Sequence, residues 1–173
     1  MYPTIFPGDR LLANKIAYKN SDPEKGDLVV FPDPANRRQN FVKRVVALAG
    51  DTVAIKDGKL YVNGEKLKLE KLSNSPLATL KPKMQGEVFY EFNDQAKYKI
   101  IMVAPKEGEK TGSTDFKQIT VSKYHCFVMG DNRNQSKDSR AFGSIAIASI
   151  KGRFDCLYFP AERWSRFGSL KNR

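Results

Sequence analysis

Short apolar runs separated by turn-forming residues dominate this chain, and no long stretch carries a helical repeat. Asp27-Leu-Val-Val-Phe31 predicts a short buried strand. Phe41-Val-Lys-Arg-Val-Val-Ala-Leu48 predicts a longer one, ended by Gly50-Asp51. Thr52-Val-Ala-Ile55 leads into Asp57-Gly58, and Leu60-Tyr-Val62 leads into Asn63-Gly64. Both dipeptides suit the two-residue hairpin turn, which needs positive φ at each central residue. Further strands are expected from Gly86 to Phe92, Tyr98 to Val103, Tyr124 to Met129 and Ile145 to Phe154. Many short strands with Gly, Pro and Asn-Gly punctuation predict an all-β fold, a barrel or sandwich-like arrangement. Residues 65–121 are richer in lysine and less regular, and read as an inserted smaller β subdomain.

Composition narrows this picture. At 173 residues, with 40% hydrophobic and 28% charged residues, the chain can bury a core and is not a disordered segment. Lys and Arg outnumber Asp and Glu 30 to 19, a net charge of +11. That excess suits nucleic acid or an anionic membrane surface. The lysines are spread along the chain (Lys56, Lys66, Lys81, Lys97, Lys117), which argues against one focused nucleic-acid patch. Cys126 and Cys156 lack C-x-x-C spacing, and with a single histidine there is no zinc set. A disulfide and two free thiols both remain open. No apolar run reaches transmembrane length, and the N-terminus lacks the layout of a signal peptide.

Three segments carry candidate chemistry: Met1-Tyr-Pro-Thr-Ile5 with Pro7-Gly8-Asp9; Phe41-Val-Lys43-Arg44; and Gly130-Asp-Asn-Arg-Asn-Gln-Ser136-Lys-Asp138-Ser139-Arg140. The last follows an apolar strand and packs acids, arginines and serines that must pair if buried. It reads either as a polar surface loop or as a charge-paired loop positioning a site. In the second segment, strand alternation puts Lys43 and Arg44 on opposite faces, so one of them points toward the more apolar side. A desolvated lysine loses its proton readily and can then act as a general base. The other reading of Lys43 is a snorkelling edge-strand residue.

Together these segments resemble the bacterial type I signal peptidases. The family pattern Ser-Met-x-Pro-Thr is met from its second residue, as Met1-Tyr-Pro-Thr4. The Gly-Asp before an apolar strand is met at Gly26-Asp27, and the lysine box at Phe41-Val42-Lys43-Arg44 with Gly50-Asp51. The pattern Gly-Asp-Asn-Arg-x-x-Ser-x-Asp-Ser-Arg is matched at every fixed position from Gly130 to Arg140. The resemblance implies an antiparallel, barrel-like catalytic core in two parts, 1–51 and 122–173, around an inserted variable β subdomain, 52–121. It implies a Ser–Lys serine endopeptidase with no cofactor and no metal. Such an enzyme removes signal peptides from exported preproteins after Ala-x-Ala-like sites. Lys43 would be the general base and Ser136 would hold it. Arg44 with Asp131, and Arg140 with Asp138, would be structural ion pairs.

The strand through Asn40, Phe41 and Val42 would pair with an extended substrate. Met1, Ile5, Phe41 and Val42 would line the pocket for the residue before the cut. The partners implied are signal peptides and an anionic membrane surface, not nucleic acid. The location implied is the extracytoplasmic side of the bacterial inner membrane. The C-terminal Arg163-Trp164-Ser-Arg166-Phe167 suits a membrane interface or an ordinary amphipathic tail. The family's serine would stand immediately before Met1, so the chain as written is expected to be an inactive piece of an active parent, without the family's anchor. His125, between strand residues, reads as structural. Rival readings are a non-catalytic signal-peptide-binding homologue, a self-cleaving repressor protease and a basic nucleic-acid-binding β-barrel.

Overall fold

The computed structural model describes residues 1–72, 86–103, 115–161 and 164–170. These residues are mostly β, in three antiparallel sheets. The largest contains β1 (Arg10–Asn14), β2 (Leu28–Pro32), β3 (Asn40–Ala47), β11 (His125–Met129), β12 (Ile145–Ala146), β13 (Gly152–Phe159) and β14 (Gly168–Ser169). Its order is β1-β13-β2-β3-β11-β12, with β14 on β13. β4 (Thr52–Lys56), β5 (Lys59–Val62), β6 (Glu65–Lys66) and β10 (Phe116–Thr120) form a second sheet. β7 (Lys68–Lys71), β8 (Gly86–Asn93) and β9 (Ala96–Val103) form a third.

The two expected tight turns join their strands directly. Lys56 pairs with Lys59 across Asp57-Gly58, and Val62 pairs with Glu65 across Asn63-Gly64. All four central residues have positive φ, as this turn type demands. The region expected to be one strand from Ile145 to Phe154 is broken. β12 pairs with β11, a 3₁₀ turn over Ile147–Ser149 intervenes, and β13 then pairs with β1 and β2. The Ser149 hydroxyl donates to the Ala146 carbonyl at 2.6 Å and closes that turn. The chain thereby passes from one part of the sheet to another.

Period-two alternation organises the core on both faces of the large sheet. In β11, Cys126 and Val128 join a cluster with Val29, Phe31, Val45 and Ile145. Their neighbours Phe127 and Met129 face the opposite way, into a cluster with Val46, Val53, Ile55, Leu60 and Val62. The second sheet therefore packs on one face of the first and shares its core. The third sheet contributes Val88, Ile101 and Val103, which bury Tyr2 and Phe6. Both cysteines are free thiols, and burial pushes Cys126 up to about 12. Among the described residues no helix is long and apolar enough to cross a membrane.

Candidate active site

β3 carries the first part of the site. Its second half is sandwiched, with Gly26, Asp27 and Leu28 on one side and β11 on the other. The register with β11 covers Arg44, Val45 and Ala47 only. Among the described residues, Asn40 to Lys43 therefore pair with β2 on one side and with no strand on the other. Unpaired edge amides and carbonyls of this kind can take an added strand.

Register also decides which way the two cations point. Phe41 pairs with Phe31 and Lys43 with Val29, placing them on the face of the Val29–Phe31–Val45 cluster. Phe41 sits edge-on to Phe31 and stacks on Phe142, and the Lys43 ammonium lies 5.3 Å from the Phe41 ring centroid. Lys43 Nζ donates to Ser136 Oγ at 2.9 Å. Burial holds Lys43 below the ordinary lysine value; Asp138 opposes that shift, and Arg140 adds to it.

Arg44 takes the other face and is 1% exposed. Its Nε and Nη2 each donate to Asp131 at 2.8 Å, a bidentate pair, and its Nη1 donates to the Gly26 carbonyl at 2.7 Å. The Thr4 hydroxyl donates to Asp131 and accepts from Arg44 Nη2 at 3.2 Å. The loop after Met1 is thereby tied to β3 and to the loop that follows β11. The Met1 nitrogen is buried within reach of the same charges, Asp131, Lys43 and Arg44.

The loop from Gly130 to Asp138 is built from its own side chains. Asp138 accepts from the Gly130 amide at 3.0 Å and from Arg140 Nε and Nη2 at 2.8 and 2.7 Å. Burial would raise Asp138, yet Arg140, the Gly130 amide and Ser136 outweigh it and hold the carboxyl below its usual range. Asp138 also caps the short helix α1 (Ser139–Phe142), and Ser139 Oγ accepts from the Val128 amide at 2.9 Å. At Gly130, a Cβ would stand 2.2 Å from Ser136 Oγ and 3.7 Å from Lys43 Nζ. Gly130→Ala is accordingly expected to displace Ser136 and break its contact with Lys43. In an NMR titration of labelled lysine side chains, the Lys43 midpoint should return toward that of an exposed lysine. An unchanged Lys43 titration in that variant would contradict this account.

The sequence model of the family described as "Signal peptidase, peptidase S26" matches residues 1–159. The chain belongs to this signal peptidase family. It is 31% identical to a probable signal peptidase I-1 of Synechocystis sp. over 98% of this chain and 72% of that protein. It is 34% identical to signal peptidase IB of Staphylococcus aureus over 92% of this chain and 73% of that protein. A crystal structure of a signal peptidase I from Enterococcus faecalis aligns at 30% identity over 77% of this chain and 97% of its own, with a TM-score of 0.44.

Within this signal peptidase, the residues singled out from sequence fall into distinct groups. Lys43, Ser136, Asp138 and Arg140 form one connected set, and Arg44, Asp131 and Thr4 form another. Met1 and Ile5 pack with Leu28, Leu157 and Leu170, whereas Phe41 lies with Phe31 and Phe142. Val42 pairs with Val30, and Asn40 Oδ1 accepts from Lys151 Nζ at 2.9 Å. His125 Nδ1 is engaged with the Lys123 carbonyl at 2.9 Å.

Two further contacts were not foreseen. Arg166 donates to Asp9 through Nη1 at 2.9 Å and Nη2 at 2.6 Å, and its guanidinium carbon lies 3.6 Å from the Phe6 ring centroid. It is thus committed to the protein and not to lipid. Arg163, from the same expected interface, lies outside the described residues, as does Lys81. The second contact, Glu91 with Arg133, is buried behind the loop. Neither had a local signal, because each joins residues distant in sequence.

Proposed function

We propose that this chain forms the catalytic region of a Ser–Lys endopeptidase that removes signal peptides from exported preproteins. The observation that carries the reading is Lys43: a desolvated lysine amine, held by Ser136 beside the free edge of β3. The nucleophile in this reading is a serine joined to the Met1 nitrogen, which itself lies within the field of Lys43. Neutral Lys43 takes the serine proton as Oγ attacks the scissile carbonyl. Its ammonium then protonates the departing amine, and a water deprotonated by Lys43 resolves the acyl-enzyme.

Substrate would lie extended along the free edge of Asn40 to Lys43. In an extended peptide, alternate side chains face the same way, so the −1 and −3 residues turn toward the protein together. Apolar walls from Met1, Ile5, Phe41 and Val42 would leave room only for small side chains there. Arg44–Asp131 and Asp138–Arg140 act as structural pairs that fix the two loops.

Family membership supports a membrane setting with the catalytic domain on the extracytoplasmic side. The exposed aromatics support contact with an anionic bilayer. Trp164 and Phe159 meet edge-to-face at 5.4 Å, Arg10 lies over Phe159, and Phe167 is exposed nearby in sequence.

The test is cleavage of a preprotein by the full-length protein, with serine before Met1. Cleavage is expected directly after Ala-x-Ala and should disappear when the −1 alanine is replaced by tryptophan. Binding of the preprotein by folded protein without any cleavage would replace this reading with that of a non-catalytic signal-peptide binder.

A further inference from the structure

The third sheet lies on the far side of the Gly130–Asp138 loop and meets it at several points. The Ile101 amide donates to the Asp131 carbonyl at 2.9 Å, and the Arg133 amide donates back to the Ile101 carbonyl at 3.0 Å. Asn134 Nδ2 reaches the Val103 carbonyl at 3.2 Å. These bonds make the loop a short continuation of the sheet beside β9, through a parallel bridge between Ile101 and Asn132.

A buried charge pair reinforces the join. Glu91 on β8 is 1% exposed and Arg133 is 6% exposed. Arg133 Nη1 donates to Glu91 Oε2 at 2.8 Å, and Nη2 donates to Oε1. Tyr98, paired with Glu91 across the hairpin, donates its hydroxyl to Glu91 Oε1 at 2.8 Å. The Tyr98 ring carries the Arg44 guanidinium 4.4 Å from its centroid. One carboxylate therefore touches the residue that anchors the loop and the ring that supports Arg44.

We infer that Glu91 is a positioning residue, through which the β8–β9 hairpin sets the loop bearing Asp131 and Ser136 and so the placement of Lys43. The inference rests on the general-base role proposed for Lys43. The physical argument is that Ser136 lies three residues beyond Arg133 on a loop with little secondary structure. A bidentate pair at Arg133 fixes direction as well as distance, which a single hydrogen bond does not. An isolated structural pair would matter only through the buried charge it neutralises.

The experiment compares three forms of the full-length protein: wild type, Glu91→Gln, and the double variant Glu91→Gln with Arg133→Met. Three quantities are read: thermal midpoint, kcat and KM on an Ala-x-Ala peptide, and the NMR titration of Lys43, assigned by its loss in Lys43→Ala. Glu91→Gln should lower kcat by about tenfold or more with KM within about threefold, and move the Lys43 titration toward that of an exposed lysine. The double variant should recover the thermal midpoint, because no buried charge is left unpaired, and should not recover kcat or the Lys43 titration. If Glu91→Gln does not fold, the double variant alone decides. A wild-type Lys43 titration and kcat in the folded double variant would overturn the inference and leave the pair as charge compensation. Wild-type peptide cleavage that survives Lys43→Ala would instead sink the general-base role, while the Lys43 titration would still report whether Glu91 positions it.

Discussion

Replacing Lys43 by alanine should lower cleavage of an Ala-x-Ala preprotein by roughly a thousandfold or more, with the protein still folded. An unassisted serine hydroxyl is a weak nucleophile, and Lys43 is the base proposed to take its proton. Lys43→Arg should fail almost as badly, because a guanidinium does not give up its proton in a protein. The pH profile carries the sign. Burial lowers the Lys43 pKa, so the required neutral amine appears as pH rises through that lowered value, below the ordinary lysine range. Activity should climb across that window.

Stability should move in the same direction. Below its folded pKa the charged, buried Lys43 opposes folding. The penalty fades as pH rises toward the unfolded value and is gone above it. Lys43→Met should therefore melt higher than wild type near neutral pH while cleaving nothing. A Lys43→Ala enzyme that keeps cleavage within tenfold of wild type would refute this role.

The largest loss of stability is expected from Asp131→Ala. Arg44 is 1% exposed, and Asp131 is its bidentate partner. Removing the carboxylate leaves a guanidinium buried without its counter-ion, and strands the Thr4 hydroxyl as well. Breaking such a buried pair costs about 3–5 kcal/mol, whereas an exposed pair contributes roughly 0–1 kcal/mol. Glu70→Ala supplies the comparison, because the Lys68–Glu70 pair is 67% and 47% exposed at its two side chains. Urea unfolding with matched slopes measures both. Equal midpoint shifts in Asp131→Ala and Glu70→Ala would show that the Arg44 pair is not desolvated in solution.

What could be read from the chain was what depends on neighbours. Asp57-Gly58 and Asn63-Gly64 announce hairpins because few other residues tolerate positive φ at adjacent positions. Alternation alone puts Lys43 and Arg44 on opposite faces, and the structure assigns Arg44 to the fully buried one. The polar run after Gly130 could be marked as needing internal partners without knowing which.

The rest depends on long-range pairing. β1 has the sequence RLLAN, whose burial does not alternate, and it exists because β13 pairs with it. Ile145 to Phe154 looks like one strand because its apolar residues hide the point where the chain changes neighbours. Glu91 gave no sign, since a lone acid in a strand normally faces water. Its partner lies 42 residues away.

The Asp9–Arg166 contact also sets an order of events during synthesis. Asp9 accepts from the Phe6 and Ala161 amides and from Arg166, which also donates to the Thr4 carbonyl at 3.0 Å. The segment that carries Thr4 to Asp131 is thus latched by Arg166, made 157 positions later than Asp9. A chain emerging residue by residue has β2 and β3 long before it has the latch. The site can therefore be completed only once Arg166 has been made, so a chain cut short before it is left without the latch that holds Thr4 in place.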